Sequence, residues 1–170
     1  MTEGDKKTDH SNESFFAEDV ADLGNALPQV RECYAYWRDL CAHSGGLPHH
    51  SMIRPPEIPH LLPYFFLVDL FENGKLMPRF RLGGSFVCQL ARTDVKGKRF
   101  IDMYDSEPYR RLIDIYARIA ERRLPFYLRA TSMFPGRGSV DIERIMMPFG
   151  DEGGDVVAIG GVIADFNAAA

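Results

Sequence analysis

The sequence predicts an α+β fold: an antiparallel five-stranded sheet, laid out as two strands, several helices and three more strands, with a helix flanking it on the N-terminal side. Three observations carry this expectation. The nearly continuous apolar run Tyr64 to Phe71, the turn Glu72-Asn73-Gly74-Lys75 and the alternating segment Leu76 to Leu82 read together as a β-hairpin, because Asn-Gly tolerates the positive φ that a two-residue turn demands. A helical stripe runs from Pro108 to Arg123. Three strand-like runs then close the chain, parted by the turn segments Pro135-Gly136-Arg137-Gly138 and Asp151-Glu152-Gly153-Gly154. Two hairpin-linked groups of strands separated by helices suit an antiparallel sheet whose helices cover one face and enclose a small core.

The elements follow in order. Residues 1–24 are polar and of mixed charge, and are expected to form a flexible tail with only Phe15, Phe16 and Val20 as anchors. Residues 25–46 are expected to form the flanking amphipathic helix. Pro28 suits its first turn, Val30, Tyr34, Trp37 and Cys41 recur at helical spacing, Cys33 and Leu40 widen the stripe, and Ser44-Gly45-Gly46 ends it. Two uses stay open for that stripe: packing on the chain's own sheet, or a coupling or dimer helix presenting Tyr34, Trp37 and Cys41 to a partner.

Residues 47–167 form the main domain. Prolines 48, 55, 56, 59 and 63 rule out a long regular element before the hairpin and point to short turns. In the returning strand Leu76, Phe80 and Leu82 are expected on one face and Arg79 and Arg81 on the other, with Pro78 marking a sheet edge or an irregular start. Gly83-Gly84 breaks the pattern. Ser85 to Ala91 reads as a short helix with Phe86 and Leu90 four apart, and Phe100, Ile101 and Met103 read as a further helical turn. The long helix opens on Asp105 or Ser106 as a cap. It turns Tyr109, Leu112, Tyr116 and Ile119 inward and Arg110, Arg111, Arg118, Glu121 and Arg122 outward. The last strands are Phe126 to Phe134, Ser139 to Phe149 and Val156 to Phe166. The apolar phase of the second changes between Ile142 and Ile145, which predicts a bulge or twist, and Gly160-Gly161 in the third allows a close neighbour.

A net charge of -4 and a pI near 5.7 argue against a nucleic-acid footprint, which needs clustered Lys and Arg. No apolar run reaches the roughly 18 residues of a membrane span. The polar opening MTEGDKKTDHSNES lacks the apolar centre of a signal peptide, so a cytoplasmic location is expected. Cys33 and Cys41, eight residues apart on one helix, lie about 12 Å apart, beyond the roughly 7 Å reach of a disulfide. With Cys88 they are read as free thiols in a reducing compartment.

The order and local wording of the elements resemble the PAS domain family, and in particular the single-domain PAS proteins of alphaproteobacteria. The residues that carry the resemblance are Tyr34 and Trp37 in the first helix, the proline-punctuated stretch Pro48, Ile53, Pro55, Glu57, Ile58, Pro59, Leu62 and Pro63, and the strand Phe65-Phe66-Leu67-Val68-Asp69. Arg81-Leu82-Gly83-Gly84, Gly97-Lys98-Arg99-Phe100, Glu143-Arg144-Ile145-Met146-Met147-Pro148 and Gly160-Gly161 continue it. Together they span roughly Val30 to Phe166. His50, Arg54 and Ala91 depart from the pattern, as does a loop before Gly97 about one residue longer.

The resemblance implies a PAS-like sheet and a sensory or regulatory module of signal transduction, binding a small ligand, a protein partner, or both. The implied pocket is lined by Phe66 from the first hairpin strand, Phe80 and Leu82 from the second, Phe86 and Leu90 from the short helix, and Phe100. Tyr109, Leu112 and Tyr116 complete it from the long helix, with Met147 and Ile159 from the last strands. Its cofactor is unknown. The long helix has no histidine for a haem, and no Asn-Cys-Arg motif is present for a photoadduct flavin.

Tyr109 and Tyr116, with Arg81 near them, could form a polar spot. His49, His50 and His60 lack companion ligands at metal spacing, and no metal is expected. Cys88 reads first as a packed thiol and second as a redox-sensitive one. No phosphate loop, His-Glu-x-x-His motif or nucleophile elbow is present, so no enzyme activity is expected. With no output domain after the last strand, the signal is expected to pass to a separate signalling protein, and a homodimer is expected. The competing readings are a ligand-free adaptor whose twelve Phe residues help to fill its own pocket, and a small cone-fold α+β enzyme.

Overall fold

The computed structural model of the chain describes residues 12–134 and 137–166. Its order is β1 (Glu13–Phe16), α1 (Pro28–Ser44), β2 (Phe65–Glu72), β3 (Lys75–Gly83), α2 (Ser85–Ala91), α3 (Phe100–Met103), α4 (Ser106–Arg122), β4 (Phe126–Phe134), β5 (Gly138–Gly150) and β6 (Val156–Asp165). The strands form one antiparallel sheet in the order β1-β4-β5-β6-β2-β3. The α+β class and the five expected strands are present, and β1 adds a sixth.

That strand corrects the expected tail over 13–16. Phe16 lies opposite Phe126 and Phe15 opposite Tyr127, with ring centroids 5.0 and 4.9 Å apart. The guanidinium of Arg122 stands 4.4 Å, and that of Arg118 5.4 Å, from the Phe16 ring centroid. Four residues suffice because ring stacking and two cation-π contacts supplement the ladder. A capping box follows: Asp19 accepts from Ala21 N, and the Asp22 carboxylate accepts from Glu18 N and Asp19 N. Residues 1–11 of the expected tail, and Pro135-Gly136 of the expected turn, lie outside the described residues.

The hairpin closes as its sequence dictates, with Asn73 at φ 51° and Gly74 at φ 75°. β3 is a sheet edge, in keeping with Pro78, and the loop at 97–99 covers part of it: Gly97 N donates to Phe80 O and Phe80 N to Lys98 O. The five prolines of the lead-in punctuate 3₁₀ turns at His50–Met52, Pro55–Glu57 and Leu62–Tyr64.

Helices cover both faces of the sheet, giving two cores. On the outer face α1 packs Val30, Cys33, Tyr34, Trp37 and Leu40 against Phe65, Leu67, Tyr127, Ile145 and Met147. On the inner face α2, α3 and α4 pack against Phe66, Val68, Leu70, Ile142, Met146, Ile159 and Ile163. This double covering explains the phase change in β5. Its pairing with β4 and β6 is regular from Ile142 to Phe149, so the expected bulge is absent there. Ile142 and Met146 face inward while Ile145 and Met147 face α1, and both sets are buried.

A real register shift lies in the hairpin instead. Leu67 is opposite Leu82 but Val68 is opposite Phe80, which leaves Arg81 as the extra residue. The phase of β3 therefore reverses after Phe80. Leu82 ends on the outer face, 38% exposed, and not beside Phe80 as the alternation predicted. Gly84 and Gly161 occupy close approaches: a Cβ on Gly84 would overlap the carbonyl oxygens of Leu62 and Pro63, and one on Gly161 the carbonyl of Ile145.

Candidate functional site

The inner face is where the pocket was expected. Phe66, Phe80, Leu90, Phe100, Tyr116 and Ile159 are buried together there, with Phe86, Tyr109 and Leu112 half-buried against them. Two expected lining residues belong elsewhere. Leu82 is turned out by the Arg81 bulge, and Met147 packs against α1 because β5 alternates between two buried faces. The space between helices and sheet is closed by aromatic rings: Phe100 contacts Phe80, Tyr116 and Tyr104 at centroid distances of 5.0, 5.2 and 5.6 Å.

One half-buried charged residue stands on this face. Arg144 lies between Ile142 and Met146 on the inward face of β5, opposite Leu128 on β4 and Ile163 on β6. Its Nε is buried and has no hydrogen-bond partner among the described residues. Burial pushes the phenols of Tyr104 and Tyr116 above their ordinary value, and the Arg144 charge draws both partly back. The expected polar spot therefore keeps Tyr116 and changes its cation. Arg81 stands on the opposite face, where its Nε and Nη2 each lie 3.1 Å from Oδ1 of Asp69.

The neighbouring residue, Glu143, points the other way and is fully buried. Its Oε1 accepts from the Tyr127 hydroxyl at 2.6 Å and its Oε2 from Leu27 N at 2.7 Å. Leu27 is the N-cap position of α1 and has no side-chain oxygen to offer, so a carboxylate from the sheet serves the positive end of the helix. Burial, then the bond and charge of Glu143, push the Tyr127 phenol well up.

The expected partner stripe is used inside the chain. Tyr34 and Trp37 are 1% and 6% exposed under the sheet, and Trp37 Nε1 donates to Pro148 O at 2.9 Å. Cys41, half-buried, reaches the rim of an open groove of about 530 Å³ lined by Trp37, Arg38, Cys41, Ala42, Gly46, Leu47 and Arg123. Burial pushes the Cys41 thiol up to about 11, which leaves it a poor nucleophile at neutral pH. Cys33 is buried, and Cys88 packs on the inner core with its Sγ 3.6 Å from Gly83 O.

His49 and His50 stack at 4.2 Å, and His60 pairs with Glu32. Among the described residues no group of three His, Cys, Asp or Glu could hold a metal ion. None of their helices is long and apolar enough to cross a membrane.

A family model described as a PAS domain matches residues 26–164. The PAS domain of Bordetella pertussis BvgS superposes with a TM-score of 0.52 at 19% identity, covering 65% of this chain and 82% of that one. The N-terminal domain of a diguanylate cyclase with PAS/PAC sensor from Marinobacter aquaeolei gives a TM-score of 0.46 at 12% identity, over 61% of this chain and 94% of that one. An RNA-binding light-oxygen-voltage receptor gives 0.44 at 13% identity, over 86% and 46%. No curated protein matches the chain. Family match and sheet agree, and the chain belongs to the PAS domain family, the sensory modules of signal transduction.

Proposed function

We propose that this PAS domain is a non-catalytic, cytoplasmic regulatory module whose output is contact with a separate signalling protein. The observation that carries the reading is the contrast between its two faces. Phe80, Phe100 and Tyr116 close the inner core, while an open groove lies beside the end of α1. Concave surfaces with an apolar floor and a few polar groups are the usual places for binding. Here Trp37, Cys41 and Leu47 offer the floor, and Arg38 and Arg123 stand at the rim. That pattern suits an amphipathic segment with acidic flanks. A second copy of the chain is a weaker candidate, because the apolar stripe behind the dimer expectation is buried.

Ala42 is exposed in the groove, so Ala42→Arg fills it without disturbing the core. Affinity capture with the wild type and with Ala42→Arg is compared by mass spectrometry. Loss of a specific protein from the variant supports the groove as the output surface. Identical captures from both overturn it.

A further inference from the structure

We infer that the free edge of β1 is a docking surface for an extended acidic segment of another protein, which adds a strand to the sheet and lays its carboxylates against Arg118 and Arg122. This surface goes beyond the groove and shares no residue with its lining. β1 ends the sheet. Ala17 N donates to Pro125 O at 2.8 Å, and backbone groups alternate in direction along an antiparallel pair. Glu13 and Phe15 therefore bond to β4, while Ser14 and Phe16 turn their N–H and C=O groups away from it. β3, at the far edge, is blunted by Pro78 and by the loop at 97–99. Among the described residues β1 has neither device.

Charge decides the occupant. On the inner side of this edge the guanidinium groups of Arg122 and Arg118 rest 4.4 and 5.4 Å from the centroid of the Phe16 ring. Both arginines are exposed, and neither joins any of the six ion pairs among the described residues. The ring holds two unneutralised forks beside a row of free backbone groups, and a planar fork matches a carboxylate with two parallel hydrogen bonds. The acids around β1 do not fill that place. Glu13 shares the outer side with Phe15, and the Asp22 carboxylate accepts from Glu18 N and Asp19 N. Side chains of a strand point alternately to the two faces. A segment with an acid at every second position therefore sets all its carboxylates on the arginine side, and its apolar residues beside Phe15 and Leu23. Backbone bonds from Ser14 and Phe16 supply the hold, and the arginines supply the preference.

The test titrates short labelled peptides of alternating Val-Glu and alternating Val-Gln with the full chain and follows fluorescence anisotropy. The Val-Glu peptide should bind about tenfold more tightly at low salt and lose that advantage at high salt. The double variant Arg118→Gln, Arg122→Gln should bring Val-Glu down to the level of Val-Gln and leave Val-Gln binding as it was. Ser14→Pro removes an outward N–H without touching the β1–β4 ladder, and should weaken both peptides about tenfold. Should Ser14→Pro displace β1, a Val-Glu peptide methylated on its backbone nitrogens takes its place, and it is expected not to bind the wild type. Ala42→Arg should bind Val-Glu as the wild type does. No binding of Val-Glu, equal binding of both peptides at low salt, or a preference for Val-Glu kept by the double variant overturns the site. So does full affinity in Ser14→Pro or for the methylated peptide, and so does loss of binding in Ala42→Arg, which would seat the peptide in the groove.

Discussion

Tyr127 on β4 donates its hydroxyl to Glu143 on β5 at 2.6 Å, inside the outer core and beneath the first turn of α1. The same carboxylate accepts from Leu27 N, so one buried side chain ties two strands to the start of a helix. Arg144, the next residue, faces the opposite core. A shift of β5 at this point therefore reaches both the inner core, where Tyr104 and Tyr116 pack on Phe100, and the helix that forms one wall of the groove.

Removing Glu143 should cost more than removing Tyr127. Tyr127→Phe leaves the carboxylate with one bond fewer and is expected to lower stability by about 1–2 kcal/mol. Glu143→Leu strands both a backbone N–H and a phenol in an apolar core, and about 3 kcal/mol or more is expected. Urea unfolding of both variants measures this. Equal losses would mean that the bond to Leu27 contributes nothing.

Glycine is required at 84 and 161 by contact with neighbouring backbone. Gly84→Ala pushes against the carbonyls of Leu62 and Pro63, and Gly161→Ala against that of Ile145. Backbone cannot rotate aside as a side chain does, so each variant should lose at least about 2–3 kcal/mol. Gly46→Ala has open space around its Cβ and is the control. A shift in urea midpoint for Gly46→Ala as large as for the other two would discredit the steric account.

What the sequence made legible depended on local chemistry. Asn73-Gly74 announced the hairpin because few other pairs accept two positive φ values. The α4 stripe was readable because one face meets water, and Tyr116 and Ile119 are buried as its period required. Met147 was assigned to the wrong face because both faces of β5 are covered, and alternation then carries no sign. Leu82 was misplaced because a bulge at Arg81 reverses phase without any composition signal. β1 escaped notice because four residues form a strand only when β4 is beside them. Glu143 and Arg144 looked like one charged step on a strand. Their position inside an apolar run was the available clue that Glu143 is buried and Arg144 half-buried.

Alkaline pH should unfold the domain early. The Tyr116 and Tyr127 phenols both lie above their ordinary value of 10.0, chiefly through burial, so the folded state favours their neutral forms. Their contribution is complete below pH 10, where unfolded tyrosines are also neutral. It falls as pH rises further, because the unfolded chain ionises first and gains stability. Ultraviolet titration should show two phenols resisting ionisation until the far-ultraviolet circular dichroism signal collapses. Ionisation of all seven tyrosines while that signal persists would contradict the burial.

The first strand should behave as a clip whose chief fastening is the Phe16 ring. Phe16 touches Phe126 edge-on and lies under Arg118 and Arg122, so Phe16→Ala removes the ring stack and both cation-π contacts at once. Exposed cation-π contacts are worth about 0.5–1 kcal/mol each, and without them the four-residue edge strand keeps only its ladder and the Phe15 ring on Tyr127. Hydrogen exchange should quicken at least tenfold for the β1–β4 ladder amides while β5 and β6 keep their protection. The freed β4 edge, four residues long from Phe126 to Arg129, then becomes a template for pairing with another chain. Concentration-dependent self-association of Phe16→Ala in light scattering should accompany the faster exchange. Unchanged exchange in β4 would show that the strand pairing alone holds β1 and that the two arginines add nothing to it.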